Sequence, residues 1–533
     1  MKKNTYYKAA GCLSLAMAAV MPASAQNTTT ASVERQKLEN IWVNNTDNAA
    51  AGVIDAPSRY SLSDLNFGMT KGDFKRVQQG KDNNSVGFHT EGGGIYEKMG
   101  GMYLWGEFSY SRDRIKGARF NASLIDPLRG MPFLLADSTA SKWINQDYSM
   151  RMKVAFPKLF DCLTLGVGAS YQNAQGAKQV DPRPLMRLSK IGVTPSAVVE
   201  IGKHNFLGAH FDYYNRREDG NPTNTNNRVN QAGWDFVAPG FFQTGEFGSF
   251  SSLSSKRFYN ANAMGGGVQY GFKNDRLNLL VSGSYMQKVE DVDNQYSGES
   301  TASIRKMIGT VKEELWNGKL VANYTFNSGN ILALNIGYTD KSIDGIEYLQ
   351  TYDNSFDVQA WIINAKFTRS NFSTKQTDVK LDYMVTDDGN SYKWWMGAQY
   401  TKLTDGYVYY QPRSTQDVET AVLGAFVSRN IRLCDRHALT LTVNGGYSTN
   451  RSGELDYHGY KADNVGFTML TLKDFEFLCT DYAKFGGEVT YTFSGFKNPS
   501  MSLYVTADFD YYKPDSEIFS KRTFTNFKVG VAF

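Results

Sequence analysis

Apolar and polar residues alternate along this chain in repeated segments of about ten residues, the length of a membrane-crossing strand. In one of them, Met102, Leu104, Phe108 and Tyr110 share the same parity. A period of two indicates a β-strand with one apolar face. The apolar face ends on a tyrosine in every second segment, and these residues are Tyr110, Tyr171, Tyr213, Tyr285, Tyr338, Tyr400, Tyr447 and Tyr511. The pattern predicts an all-β, antiparallel, up-and-down fold.

The tyrosines and the connections between segments indicate a membrane environment. Tyrosine has an apolar body and a polar tip, so a ring of tyrosines suits the interface between lipid and water. Long connections follow the tyrosine ends, at 115–142, 176–190, 218–256 and 450–478, whereas the returning segments end in short turns. Bacterial barrels place short turns in the periplasm and long loops outside. The sequence therefore predicts a transmembrane β-barrel with its tyrosine ends facing the cell exterior.

The strand number depends on two segments in the middle of the chain. If 302–314 and 356–368 belong to external loops, the barrel has 18 strands, and every tyrosine lies on one rim. If both segments cross the membrane, the number is 20. We predict 18 strands, with 16 or 20 as alternatives, because a single-chain barrel of this kind has an even number.

The last strand carries a second indication of a closed barrel. Phe527, Val529, Val531 and the terminal Phe533 alternate with polar or small residues up to the end of the chain. A strand that includes a chain terminus needs neighbours on both edges, which closure supplies. This strand resembles the assembly signal of bacterial outer-membrane β-barrels, and the large-looped, tyrosine-rimmed chain resembles barrels of the Bacteroidota type. The resemblance implies a location in the Gram-negative outer membrane and contact with its lipid, its lipopolysaccharide and the barrel-assembly machinery.

The first residues have the features of a secretory signal peptide. A basic start with Lys2, Lys3 and Lys8 precedes a short apolar run and the small-residue sequence Ala23-Ser24-Ala25, as in cleavable signals. We expect a signal peptide at 1–25, a periplasmic or lumenal segment at 26–59 and the barrel at 60–533.

The segment at 26–59 has no strand pattern, and its polar, turn-forming residues suit a compact plug. Asn48-Ala49-Ala50-Ala51-Gly52-Val53 resembles the Asn-Pro-Ala-Gly-Leu hatch of the long-chain fatty-acid transporter family, without the proline and with an additional alanine. The resemblance implies a hatch inside the barrel. Its candidate residues are Asn44, Asn45, Asp47, Asn48 and Gly52. An ordered periplasmic lead-in is the alternative.

Charge and cysteine content exclude several other classes of protein. The formal net charge of +4 falls to about +1 without the three signal lysines, so no basic field suggests a nucleic-acid partner. The three mature cysteines, Cys162, Cys434 and Cys479, are an odd number at wide spacing. They form no disulfide framework or metal motif.

Charged residues of both signs have the parity that faces the lumen. The candidates are Glu107, Arg151, Lys153, His210, Asp212, Lys380, Asp382, Asp508 and Asp510. They form either ion pairs across a wet lumen or a ligand site. Only His210 has a partner suited to catalysis, Asp212, and no nucleophile motif accompanies them. We expect no enzyme and no cofactor.

The connection at 218–256 is unusually aromatic, with Trp234, Phe236, Phe241, Phe242, Phe247 and Phe250. So many exposed aromatic side chains require a partner unless they pack together. The alternatives are a self-packed cap over the barrel mouth, or a gate or docking surface for a small apolar ligand or a partner protein. Together these features favour a passive transporter or channel for a small solute, with hydrophobic solutes among the candidates. A non-conducting barrel that acts as a scaffold or surface partner in an outer-membrane assembly is the alternative.

Overall fold

The structure is a computed structural model that describes residues 28–55, 57–226, 228–248, 253, 256–295, 305–353, 360–388, 390–496 and 500–533. The expected signal peptide at 1–25 lies outside these residues. In the described part of the chain, eighteen antiparallel strands form one closed barrel, and three short strands form a separate sheet. The predicted 18-stranded barrel is confirmed.

The strands are numbered here in chain order, and all except β4, β9 and β10 belong to the barrel. They are β1 (Tyr60–Gly72), β2 (Asp82–Tyr96), β3 (Met102–Ala118), β4 (Leu134–Asp137), β5 (Ser141–Ala155), β6 (Leu163–Lys178), β7 (Leu185–Ile201), β8 (Asn205–Asn221), β9 (Gln231–Ala238), β10 (Phe241–Phe247), β11 (Lys256–Lys273), β12 (Leu277–Gln295), β13 (Arg305–Thr325), β14 (Ile331–Asp353), β15 (Ala360–Thr386), β16 (Tyr392–Tyr410), β17 (Arg413–Cys434), β18 (His437–Asp456), β19 (Tyr482–Phe493), β20 (Ser502–Pro514) and β21 (Arg522–Ala532).

The first and last strands close the barrel. β21 pairs with β20 on one edge and with β1 on the other, with Phe527 opposite Phe67. Backbone hydrogen bonds extend this pairing to the last residue, since Phe533 N donates to Ser61 O at 2.9 Å and Ser61 N to Phe533 O at 3.1 Å. The terminal strand therefore has a neighbour on each edge, as its pattern predicts.

Side-chain exposure follows the predicted parity. Leu441 and Val443 on β18 are exposed on the outer surface, with Val443 68% exposed, whereas the intervening Thr442 faces the lumen. The tyrosines at the ends of the apolar faces, such as Tyr338 and Tyr447, are also exposed. An outer surface of apolar side chains with tyrosines at one end fits a barrel embedded in lipid.

The two ends of the barrel differ. Short connections, the start of β1 and the chain's last residue lie at one end, which we name the turn end. The long connections lie at the other, the loop end. There β13 and β15 incorporate 305–314 and 360–368, so the prediction that these residues belong to external loops is wrong. These parts do not add strands to the barrel but lengthen existing ones, and β6 and β7 likewise take up most of 176–190.

Helices occur at both ends. Near the turn end are α1 (Thr30–Glu39), α2 (Ile41–Asn45), a 3-10 turn (Ala49–Ala51) and α3 (Gly52–Asp55). A 3-10 turn (Glu97–Met99) joins β2 to β3 at the turn end. At the loop end a π-helical turn (Phe467–Thr471) leads into α4 (Leu472–Leu478). Thr29 begins α1 with a capping box, because Ser32 N donates to Thr29 Oγ1 and Thr29 N to Ser32 Oγ. No helix within the described residues is long and apolar enough to cross a membrane.

Candidate functional site: a closed chamber inside the barrel

The N-terminal segment, defined as residues 28–55, lies inside the lumen at the turn end. Its apolar residues pack against lumen-facing side chains of four strands. Ile41, Trp42, Ala50, Ala51 and Ile54 form one buried cluster with Val198, Phe206, Leu280 and Val321. Trp42 has no exposed surface, and its ring packs edge-on against Phe206 at a centroid distance of 6.3 Å. Burial of this apolar surface stabilises the docked segment.

The candidate hatch residues have different roles in this arrangement. Asn48 is buried, and its amide donates to the backbone oxygens of Ala197 and Ala209 and to Gln269 Oε1 at 3.0–3.3 Å. Asn44 and Asn45 instead donate to backbone oxygens of the segment's own helices. Asp47 faces open space in the lumen. Gly52 lies against the ring of Tyr103 with no room for a side chain.

Two carboxyl groups of the segment, those of buried Asp55 and half-buried Glu34, were not selected by sequence reasoning. Asp55 Oδ2 accepts a hydrogen bond from Val43 N at 2.8 Å. Burial raises the pKa of Asp55 to about 6, and the Val43 hydrogen bond opposes this shift. Burial likewise raises the pKa of Glu34 to about 7, against the effect of a 2.8 Å hydrogen bond from the Tyr392 hydroxyl. No motif marks these residues, because their environment is created by the barrel wall.

Loops close the other end of the lumen. We name residues 119–140, 222–248 and 457–480 the cap. It contains the three-stranded sheet in the order β10-β9-β4. One apolar core joins it to inward side chains of the barrel, and its members include Phe120, Phe133, Trp234, Phe236, Phe242, Phe467, Tyr259, Val292, Val311 and Ile343. The aromatic residues of the 218–256 connection are thus largely self-packed, while Phe250 lies outside the described residues.

Buried ion pairs also attach the cap to the barrel wall. The Arg257 guanidinium on β11 donates two hydrogen bonds to the Asp235 carboxylate on β9, at 2.8 and 2.7 Å. Arg129 of the cap contacts Glu290 on β12 at 2.6 Å and Glu218 on β8 at 3.7 Å. Removing one partner of such a pair leaves a buried charge without compensation, so these contacts hold the cap in one position.

A polar chamber remains between the N-terminal segment and the cap. Four cavities of about 810, 470, 390 and 330 Å³ line the lumen. Neighbouring cavities share lining residues. The cavities of about 810 and 470 Å³ share Asp47 and Lys319, those of about 470 and 330 Å³ share Lys380 and Gln399, and those of about 330 and 390 Å³ share Phe426 and Asn444. We name these adjoining cavities together the chamber. Most of its lining residues are polar or charged.

The predicted lumen residues line the chamber or pair within it. The side chains within ion-pair or hydrogen-bond distance are Glu107 with Arg151, His210 with Asp212 at 3.2 Å, Lys380 with Asp382 at 3.0 Å, Asp510 with Lys484 at 3.1 Å and Asp508 with Asn526 at 2.9 Å. Lys153 differs from the others. Its amino group donates to the backbone oxygens of Val43 at 3.1 Å and Thr46 at 2.8 Å.

Predicted charges together with four acidic or basic residues that sequence reasoning missed divide the chamber into two sides. The predicted Lys153 lines the largest cavity with Lys190 and Lys319, which were missed. Across the lumen, the predicted Asp508 and Asp510 line another cavity with Lys528 and with Glu34 and Glu488, which were missed. Lumen-facing parity could have identified Lys319 and Glu488, because each lies within a recognisable strand, whereas Lys190 falls in the connection predicted at 176–190. Glu34 lies outside the strands, so strand parity could not identify it.

His210 and Asp212, the predicted lumen pair, belong to a larger group of hydrogen-bonded side chains. Asp212 accepts from Thr194 as well as contacting His210, and His210 Nδ1 lies 2.7 Å from Gln269 Nε2. Thr194, Asp212, His210 and Gln269 thus form a hydrogen-bonded chain of polar side chains. Within the part of the chain that the structure describes, no group of three His, Cys, Asp or Glu side chains is placed to hold a metal ion.

Comparisons with solved structures find distant barrels. The FrpB iron transporter from Neisseria meningitidis is 10% identical, with 91% of this chain and 82% of that chain covered and a TM-score of 0.40. The RagAB peptide transporter is 8% identical, with 89% and 86% covered and a TM-score of 0.39. The E. coli K12 ferric-catecholate import receptor Fiu in its open form is 8% identical, with 89% and 82% covered and a TM-score of 0.39. Sequence identities and TM-scores this low do not allow the activities of those proteins to be assigned to this chain.

Comparison at the level of sequence families is more direct. No curated protein matches the chain. The model of a family of unknown function, DUF6850, matches residues 49–533, which include the end of the N-terminal segment and the whole barrel. The chain therefore belongs to the DUF6850 family.

Proposed function

We propose that the protein is an outer-membrane barrel that works as a gated passive transporter for a small polar solute. The observation that carries this proposal is the chamber, a series of adjoining polar cavities between the N-terminal segment and the cap. A barrel that served only as a scaffold would have no need to keep this space open. The cavity volumes fall in the range of small-molecule sites.

The outer surface supports insertion into a membrane. Exposed side chains on the barrel wall are apolar on successive strands, as at Leu207, Phe211, Leu441 and Val443. Water would not favour such a surface, whereas lipid would. In the orientation usual for bacterial barrels, the turn end and the N-terminal segment face the periplasm, and the cap faces outwards.

The polar lining of the chamber indicates which class of solute it can accommodate. From the sequence alone, hydrophobic solutes were among the candidates. The chamber wall, however, carries charged and amide side chains, and its cavities connect through Asp47, Lys319, Lys380 and Gln399. An apolar solute would lose its own contacts there and would disrupt the hydration of these groups. A polar solute is therefore the better fit.

The two closures would act as gates in series. The N-terminal segment is short, and it is attached by the apolar cluster around Trp42 and by single hydrogen bonds. Examples are Asn323 Nδ2 to Leu38 O at 2.6 Å and Arg35 to the backbone oxygens of Asp387 and Ser391. No residue of the segment belongs to a barrel strand, so its release would leave the strands paired.

Deletion of 32–53, with the signal peptide and every strand retained, tests this function. Wild-type protein in planar bilayers should show rare openings, and the deletion should raise their frequency sharply, because only the cap still closes the lumen. A matched control removes 349–365, which shortens β14 and β15 at the loop end, and the described residues of this range do not line the chamber. It should leave the current unchanged.

The scaffold alternative gives a different result. A barrel that never conducts would show currents near zero in the wild type and in both deletions, although each protein runs as a folded, heat-modifiable species. That outcome would reject the transporter. Uptake of sucrose into liposomes provides an independent measurement of the same opening.

A further inference from the structure

We infer that the largest cavity of the chamber is a binding site for a small organic anion with two or more carboxylate, sulfate or phosphate groups, and that this anion competes with the N-terminal segment for the same lysines. The inference deepens the proposed function, on which it rests, by naming the class of solute. The inference depends on the contacts that three lysine side chains make in this cavity.

Lys153 on β5, Lys190 on β7 and Lys319 on β13 all line the cavity of about 810 Å³. Among the described residues, none of the three has a carboxylate oxygen within 4.0 Å. All three are only partly exposed. Taking cations out of bulk water without a counter-charge is unfavourable. The wall of this cavity therefore presents positive charge that nothing in direct contact neutralises.

Weaker partners occupy these lysines in the closed barrel. Lys153 donates to the backbone oxygens of Val43 and Thr46 in the N-terminal segment. Lys190 lies over the Tyr214 ring, 4.0 Å from its centroid. Lys319 is attracted by Asp47 without forming an ion pair. An oxyanion would be a stronger partner for each, because hydrogen bonds between charged groups are about twice as strong as neutral ones.

The carboxylates of the same cavity are already engaged, apart from Asp47. Glu91 pairs with Lys37, and Asp212 contacts His210 and accepts from Thr194. Arg151, a further cation of this wall, pairs with Glu107. The cavity thus keeps a net positive charge. A second, acidic side of the chamber, with Glu488, Asp508 and Asp510, repels an anion towards it.

Asp47 and the backbone oxygens of Val43 and Thr46 stand where such an anion would place its own oxygens. Asp47 attracts both Lys153 and Lys319. A bound anion would satisfy these lysines and would weaken their hold on the N-terminal segment. Binding and release of the segment are then linked, since a ligand stabilises the state to which it binds more tightly.

Citrate is a suitable probe, and sucrose is its neutral counterpart. Calorimetric titration of the full-length mature protein in detergent at low salt should give binding of citrate and none of sucrose. Lys190→Met and Lys319→Met should each weaken citrate binding about tenfold, the loss expected for one charged hydrogen bond. Lys402→Met is the matched control, because Lys402 pairs with Glu419 on the outer surface and should not change the affinity.

Asp47→Asn gives the sharper result. A merely structural role for Asp47 predicts equal or weaker citrate binding. Removal of a competing internal carboxylate instead predicts binding several-fold tighter. The variant that lacks 32–53 should also bind citrate at least as tightly as the wild type. Its site remains accessible even if the closed wild-type barrel excludes citrate.

Absence of citrate binding in both the wild type and the deletion would overturn the inference, as would equal affinities for Asp47→Asn, Lys319→Met and the wild type. These failures are distinct from failure of the proposed function. Binding does not require conduction, so a protein that binds citrate but never conducts would reject the transporter alone. A barrel that conducts after deletion but binds no citrate would reject only the anion site.

Discussion

The indole ring of Trp42 lies directly against the backbone of Gly271, so that a Cβ atom at position 271 would overlap the ring. Gly271 faces the lumen on β11, and Trp42, the single aromatic residue of the N-terminal segment, has no exposed surface. The segment can dock only because this position in the barrel wall has no side chain.

Gly271→Ala should therefore loosen the segment without harming the barrel. A methyl group inserted into a filled site costs about 1 to 3 kcal/mol, and the segment can relieve that strain by leaving. We expect faster cleavage of 28–55 by added protease and more frequent openings in bilayers. Gly337→Ala is the control, since its nearest neighbour would be Asp378 Cβ at 3.9 Å. Equal protease sensitivity of the two variants would contradict the docking described here.

The lipid-facing parity leads to a second prediction. Leu441→Arg should destabilise the barrel by about 2 to 4 kcal/mol, the cost of a guanidinium facing the middle of the bilayer. Thr442→Arg should cost much less, because Thr442 lines a cavity together with Glu488, Asp508 and Asp510. Urea unfolding from lipid vesicles measures both. Similar losses for the two neighbours would mean that the strand register is wrong.

The closing seam gives a third prediction. Phe533 is hydrogen-bonded through its backbone to Ser61 and completes the pairing of β21 with β1. Phe533→Ala removes the aromatic ring of the expected assembly signal and should lower the amount of barrel inserted in the outer membrane. Heat-modifiable mobility of membrane fractions measures the folded protein. Phe524→Ala, in the same strand but far from the terminus, should have a smaller effect.

The barrel could be predicted from the sequence because apolar and polar residues alternate in the same way along each membrane-crossing strand. Each lipid-facing residue, such as Leu441 or Val443, is selected by the bilayer whatever its neighbours are, so alternation alone reveals parity, register and closure. Where strands extend beyond the membrane this selection stops. The parts of β13 and β15 at 305–314 and 360–368 are paired extensions of existing strands. The prediction places them in loops because counting them as separate strands would move Tyr338 to the other rim.

The chamber was less predictable because its contacts join distant parts of the chain. Lumen parity identified Lys153, but not that its acceptors are backbone oxygens of Val43 and Thr46, more than a hundred residues earlier. Trp42 gave no indication of burial, since the cluster around it comes from four separate strands. Arg257 lay at the border of a predicted loop. Its role depends on Asp235 of a small sheet that the sequence pattern did not show.

The ion pair between Arg257 and Asp235 supplies a fourth prediction, for the cap. Arg257→Met leaves the Asp235 carboxylate without its two hydrogen bonds in a largely buried place, a loss of about 3 kcal/mol. Backbone amides of β9 should then exchange hydrogen about a hundredfold faster, if exchange proceeds through opening of the cap. Arg451→Met, on the exposed part of β18, is the control. Unchanged exchange in β9 would show that the apolar core alone holds the cap.

The last prediction concerns pH, and its direction follows from Asp55 and Glu34. Burial raises the pKa of Asp55 to about 6 and that of Glu34 to about 7, above ordinary values of about 3.9 and 4.3. The docked N-terminal segment therefore binds more protons than the released segment between about pH 4 and pH 7. Its docking should be strongest below pH 4 and should weaken as pH rises through 6 and 7.

Both carboxyl groups face charged neighbours that set the size of this effect. Lys273 opposes the shift at Asp55, while Glu488 strengthens and Lys37 and Lys528 oppose the shift at Glu34. Openings in bilayers should be rarer at pH 5 than at pH 8. Asp55→Asn keeps an oxygen that can accept from Val43 N but cannot titrate, so together with Glu34→Gln it should flatten the dependence. If the double variant keeps the full wild-type dependence of opening on pH, other groups cause the response. Protease cleavage of 28–55 across the same pH range would show whether the segment itself moves.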